Sequence, residues 1–134
     1  MLANTYSLYL KSQNYHWNVV GPNFQALHTL FEEHYTNLAD ASDEIAERIR
    51  ALGSPAPGGF DAFSSLRTIT DGKEGLSAKD MVKDLCDDHE KVLQTLKSCF
   101  AEAQKCDDEV TIGLLTDRMT FHEKTIWMLK SSLV

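Results

Sequence analysis

Residues 23–52, NFQALHTLFEEHYTNLADASDEIAERIRAL, decide the fold of this chain. Phe24, Leu27, Phe31, His34, Leu38, Ala41, Ile45, Ile49 and Leu52 follow one another at steps of three or four. That spacing draws one stripe down an α-helix; a strand would alternate with period two. The run contains neither proline nor glycine, whereas Gly21-Pro22 stands before it and Gly53-Ser-Pro-Ala-Pro-Gly-Gly59 behind it. The pattern predicts a helix over 23–52, with Asn23 as the candidate cap of its first turn.

Outward from this stretch the same period returns twice. Val82, Leu85, His89, Val92, Leu96, Cys99 and Ala103 mark a helix over 78–104. Ile112, Leu115, Met119, His122, Ile126, Leu129 and Leu133 mark another over 108–131. A further helix is predicted over 2–19, ended by Pro22. No segment alternates as a half-buried strand would, so the expected class is all-α. Val20-Gly-Pro-Asn23 and Lys105-Cys-Asp107 are short enough to force antiparallel hairpins. Between the second and third helices lie about 25 residues, Gly53 to Ser77, long for a structureless loop. Phe60, Phe63, Leu66 and Ile69 suggest a short helix inside it. Two hairpins joined by one long crossover make a ferritin-like four-helix bundle, here a single domain over 1–134.

Composition narrows the function classes. The chain has 134 residues, 43% hydrophobic and 25% charged, enough for one domain with its own core. No apolar run reaches the roughly 18 to 20 residues that cross a bilayer. The first residues lack the basic-then-apolar layout of a secretory signal, so a cytoplasmic location is expected. Cys86, Cys99 and Cys106 form no CxxC pair and are expected as reduced thiols. Twenty acidic residues against 13 basic give a net charge of −7, which repels nucleic-acid phosphates and attracts cations.

Four residues then stand out: His16, His28, Asp43 and Glu47. Imidazole and carboxylate together suit a borderline cation such as ferrous iron, and oxygen donors stabilise the ferric product. His16 lies about five residues before the Gly21-Pro22 turn and His28 about six after it, so a hairpin sets them at one height. Asp43 and Glu47 are one helical turn apart on a shared face. From His28 to Asp43, however, is 15 residues, roughly 22 Å of helix. Histidines and carboxylates that cooperate must therefore come from different chains. Around the helix, Glu32, Ala39 and Asp43 fall within about 60° of His28 on the side away from the apolar stripe, and Glu47 about 100° round. An antiparallel two-fold contact setting residue i near roughly residue 73 − i brings His28 between Asp43 and Glu47 of the second copy. Its axis passes near Thr36 and Asn37, and one dimer gains two identical sites. A di-iron centre inside one bundle would need Glu-x-x-His on two helices. The residues three before His28, His34, His89 and His122 are Gln25, Phe31, Cys86 and Met119, so that arrangement is disfavoured.

The stretch Asn14-Tyr-His-Trp-Asn-Val-Val-Gly-Pro-Asn-Phe24, then Leu27-His28, then Asp43-Glu-Ile-Ala-Glu-Arg-Ile-Arg50, resembles the signature of the Dps-type mini-ferritins. The similarity extends over the whole chain, including His122-Glu-Lys-Thr-Ile-Trp-Met-Leu-Lys130. The resemblance implies a hollow dodecamer, a homo-oligomer of two-fold dimers. It implies a ferroxidase that oxidises ferrous iron, with hydrogen peroxide preferred to dioxygen, and stores ferric mineral inside. It maps the metal ligands to His16 and His28 of one subunit and Asp43 and Glu47 of its partner. Trp17 resembles the family tryptophan that stray radicals oxidise, and Asp108 and Asp117 are candidates for an iron-entry pore. Two departures stand against this. Lys11 is the only basic residue before position 40, so tail-mediated DNA binding is not expected. Gly113 interrupts the acidic series expected of the pore.

The plainer readings are these. Asp43 and Glu47 belong to a solvated face, with Glu47 pairing Arg50 or Arg48 pairing Glu44. Glu32 is either a ligand of a second, looser iron or a surface residue. His34, His89 and His122 are core histidines satisfied by hydrogen bonds. Trp127, Met119 and Met128 are packing residues, with no support for a haem. The competing functions are a DNA-compacting nucleoid protein and a cage without iron chemistry.

Overall fold

The computed structural model describes residues 1–134 and contains five helices and no strand. Helices α1 (Leu2–Asn18) and α2 (Phe24–Ala51) form one hairpin, and α4 (Ala78–Lys105) and α5 (Glu109–Ser132) the other. The crossover carries α3 (Phe60–Leu66). The expected boundaries lie within a residue or two of these, the ordinary uncertainty of helix ends. The first turn uses Gly21 at φ +120, and the second places Asp107 in the left-handed region at φ +53, which aspartate tolerates.

Capping differs from expectation at one end. Asn23 does precede α2, but its side chain makes no cap bond. Its backbone sits at φ −100, ψ 18, outside the extended region that aims a cap side chain at the first turn. Ser77 is extended at φ −65, ψ 157, and its hydroxyl accepts from the Asp80 amide at 3.1 Å. Asp108 caps α5 by accepting from the Thr111 amide at 3.1 Å.

The core follows the three stripes: Phe31, Leu38, Leu85, Leu96, Leu115 and Leu129 are fully buried, with Leu8 and Tyr15 from α1. The α2 stripe fails at its two ends. Phe24 is 41% and Leu52 57% exposed, and Trp127, expected to pack, is 65% exposed. Ile69 lies outside α3, yet it is buried in the core. Asn4 holds this part of the crossover, accepting from the Thr68 amide at 2.7 Å and donating to its hydroxyl at 2.9 Å.

Two polar clusters are embedded in the bundle. Lys11 is buried, and its Nζ lies 2.5 Å from Asp88 and 3.1 Å from Asp84. The Tyr15 hydroxyl donates to Asp84 at 2.6 Å. A buried ammonium requires such partners because leaving water unpaired costs several kcal/mol. The second cluster joins His34, His89 and His122, with the Nδ1 atoms of His89 and His122 2.8 Å apart. Full hydrogen-bond satisfaction, expected of these three, is not achieved. Nδ1 of His34 and Nε2 of His89 and His122 have no hydrogen-bond partner in the protein, and the Phe121 ring packs against His34 and His89. Burial pushes His34 down to about 4 and His122 to about 3, and drives His89 well below its ordinary value.

Candidate metal centre

The α1–α2 hairpin brings His16 and His28 face to face, with ring centroids 3.7 Å apart and planes 18° from parallel. His16 is buried and His28 half-buried. Nδ1 of His16 lies 2.8 Å from the carbonyl oxygen of His28, and Nδ1 of His28 lies 2.8 Å from the carbonyl oxygen of His16. A carbonyl only accepts, so both rings must carry their proton on Nδ1. In the neutral form each Nε2 then keeps its lone pair. Fixing the tautomer through the remote ring nitrogen is how proteins orient imidazole ligands for a metal. Phe24 covers His28 at 5.0 Å and Tyr35 meets the His16 ring edge-on at 5.1 Å.

Asp43 and Glu47 are exposed on α2, as is Glu32 one turn after His28. Asp43 lines a groove with Ala39, Ala46, Leu2, Tyr6 and the aromatic residues Phe60 and Phe63 of the crossover. The chain's ion pairs include neither Asp43 nor Glu47. Arg48 reaches across to Asp108 at 2.8 Å instead of pairing with Glu44, and Arg50 donates to the Ser54 carbonyl. No three histidine, cysteine or acidic side chains converge on a point within one chain. The imidazole pair and the carboxylate pair therefore stand apart, each unengaged by local charge.

The ferritin-like domain family matches residues 1–134. DNA protection during starvation protein 2 of Bacillus anthracis is 40% identical over 126 residues, covering 94% of this chain and 86% of the relative. The crystal structure of a Dps protein from Bacillus brevis superposes with a TM-score of 0.97 at 36% identity, covering 99% of this chain and 89% of that one. The chain belongs to the Dps-type mini-ferritins. A third mini-ferritin, from Vibrio cholerae and described as a member of a broad superfamily of ferritin-like diiron-carboxylate proteins, gives a TM-score of 0.95 at 32% identity over 99% of this chain and 84% of that one.

Within this mini-ferritin two features escaped sequence reasoning. The reciprocal bonds between His16 and His28 depend on backbone carbonyls, which no side-chain pattern announces. Asp108, a pore candidate by sequence, is occupied as helix cap and ion-pair partner. The Arg48 guanidinium and the Thr111 bonds hold its carboxyl below the usual range, the Thr111 hydrogen bonds contributing most. Asp117 is exposed.

Proposed function

We propose that this mini-ferritin oxidises ferrous iron, its substrate, at sites shared between two copies and stores the ferric product inside a dodecameric shell. His16 and His28 supply two Nε2 donors, while Asp43 of the partner subunit and Glu47 of the partner subunit supply the oxygens. Glu32 lies one turn from His28 and serves a second, looser ion. The observation that carries this reading is the reciprocal Nδ1 bonding, which leaves both Nε2 atoms as donors with no carboxylate of their own chain converging on them. Two nitrogens and two carboxylates hold ferrous iron and favour its oxidation, since carboxylate prefers the harder ferric ion. With hydrogen peroxide, two ferrous ions supply both electrons: two Fe²⁺, one H₂O₂ and two protons give two Fe³⁺ and two waters. No hydroxyl radical is released in that balance, which accords with the protective names of the relatives. A cytoplasmic setting suits three unpaired cysteines.

Subunit complementation tests it. One chain carries His16→Ala with His28→Ala, the other Asp43→Ala with Glu47→Ala; each alone should oxidise ferrous iron poorly under anaerobic loading followed by peroxide. In a dimer of the two, one site recovers all four ligands and the other loses all four. Co-assembled protein should regain a substantial part of the activity, and no gain over the separate variants would sink the shared site.

DNA compaction is the weaker reading. The net charge is −7, and Lys11 is buried against Asp84 and Asp88.

A further inference from the structure

The chain has four tyrosines, and three of them stand in file from the imidazole pair. Tyr35 meets the His16 ring at 5.1 Å and 79°, Tyr9 meets Tyr35 at 6.2 Å and 62°, and Tyr6 meets Tyr9 at 5.4 Å and 75°. Tyr6 then lies on Phe63 at 4.9 Å and lines the groove that contains Asp43. The register has a simple origin. Tyr9 precedes His16 by seven residues and Tyr35 follows His28 by seven, so the hairpin seats both tyrosines two turns along the same seam. The fourth, Tyr15, is turned the other way, fully buried, with its hydroxyl committed to Asp84 and the Lys73 amide.

Aromatic rings in edge-to-face contact pack well, and packing alone would suit phenylalanine equally. Phenol differs from benzene in its ease of one-electron oxidation. We propose that Tyr35, Tyr9 and Tyr6 form a redox relay that draws one-electron oxidising equivalents away from the iron site. The proposal rests on the iron-oxidising reading above. Its chemistry arises when peroxide meets a site holding a single ferrous ion: Fe²⁺ and H₂O₂ give Fe³⁺, hydroxide and a hydroxyl radical. The radical abstracts the phenolic hydrogen atom of Tyr35, forming water and a tyrosyl radical. Through the ring contacts an electron passes from Tyr9 to the Tyr35 radical and then from Tyr6 to the Tyr9 radical; each phenol that is oxidised releases its proton to water and each radical that is reduced takes one up. The oxidising equivalent thus leaves the site where it arose and ends on Tyr6, beside the Asp43 that serves the dimer's second site, instead of in solution.

The test is freeze-quench electron paramagnetic resonance on the assembled protein, loaded anaerobically with ferrous iron below one per chain and mixed with peroxide. A Trp17→Phe background removes the exposed indole as a competing sink, and ring-deuterated tyrosine identifies the radical by a narrowed signal. The expected result is a deuterium-sensitive tyrosyl signal that Tyr35→Phe abolishes. Tyr9→Phe should retain the radical on Tyr35, and spin-trapped hydroxyl radical should rise in Tyr35→Phe. Ferric absorbance is recorded on the same samples. Normal iron oxidation with a tyrosyl signal undiminished in Tyr35→Phe, or with no tyrosyl signal, overturns the relay alone. Absence of iron oxidation in the parent protein overturns the relay together with the site beneath it.

Discussion

At the scale of single residues, the centre depends on two imidazoles that each hold the other's tautomer through a main-chain oxygen. Removing one ring leaves its carbonyl in place, so His16 keeps its Nδ1 bond when His28 is truncated. His28→Ala should therefore act as a ligand loss and leave the fold intact. Anaerobic calorimetric titration should show ferrous affinity falling by roughly 10- to 100-fold, the range seen even for loss of an outer partner, with little change in melting temperature. Unchanged affinity would remove His28 from the ligand set. Residue spacing was sufficient to place both histidines at one height across the turn. It was silent on which nitrogen carries the proton, because that is set by a carbonyl twelve residues away.

At the scale of elements, α1 is fastened to α4 by charge as well as by its leucines. Lys11 and Asp88 are both inaccessible to water, and Asp84 and Lys91 complete the network. Lys11→Met should cost up to about 3–5 kcal/mol, because it removes the buried partner of Asp88 and leaves only the half-exposed Lys91 on its other oxygen. The double variant Lys11→Met with Asp88→Leu should recover most of that, as neither charge is left alone. Denaturant midpoints at one fixed protein concentration decide this, and a double variant no better than the single would refute the pairing account. In the sequence Lys11 stands out only as the one basic residue before position 40. Its partners are 73 and 77 positions away, beyond any local pattern.

At the scale of the whole molecule, the bundle carries three uncharged histidines in its interior, and acid should expose them. Their native values lie below the unfolded value of about 6.5, so between those limits the unfolded chain binds more protons. Stability is then unaffected above about pH 6.5 and falls as the pH drops toward about 4. A tenfold difference in proton affinity between the folded and unfolded chain corresponds to about 1.4 kcal/mol. His122, pushed down to about 3 by burial, should be a main contributor to this loss, with the nearby Arg118 charge adding to the effect. Unfolding midpoints measured across this range should show a shallower acid limb for His122→Leu than for the parent; equal slopes would exclude His122 as a source of the sensitivity. The charge balance of the molecule yields another expectation. Gel-shift assays at low salt should show free DNA migrating unretarded, and a retarded band would revive the nucleoid reading.

By itself the sequence determined the five helices, the order of the hairpins and the separation of imidazoles from carboxylates along α2. Each of these follows from local periodicity: a helix advances a fixed rise per residue, and its apolar face must leave water. Only the tertiary structure decided which histidine nitrogens are free, that Asp108 is spent on a cap, and that one nitrogen of each core histidine lacks a partner. It alone set three tyrosines in contact beside His16. Such facts belong to groups far apart in the chain, whose meeting depends on how two hairpins pack and not on the identity of any neighbour in sequence.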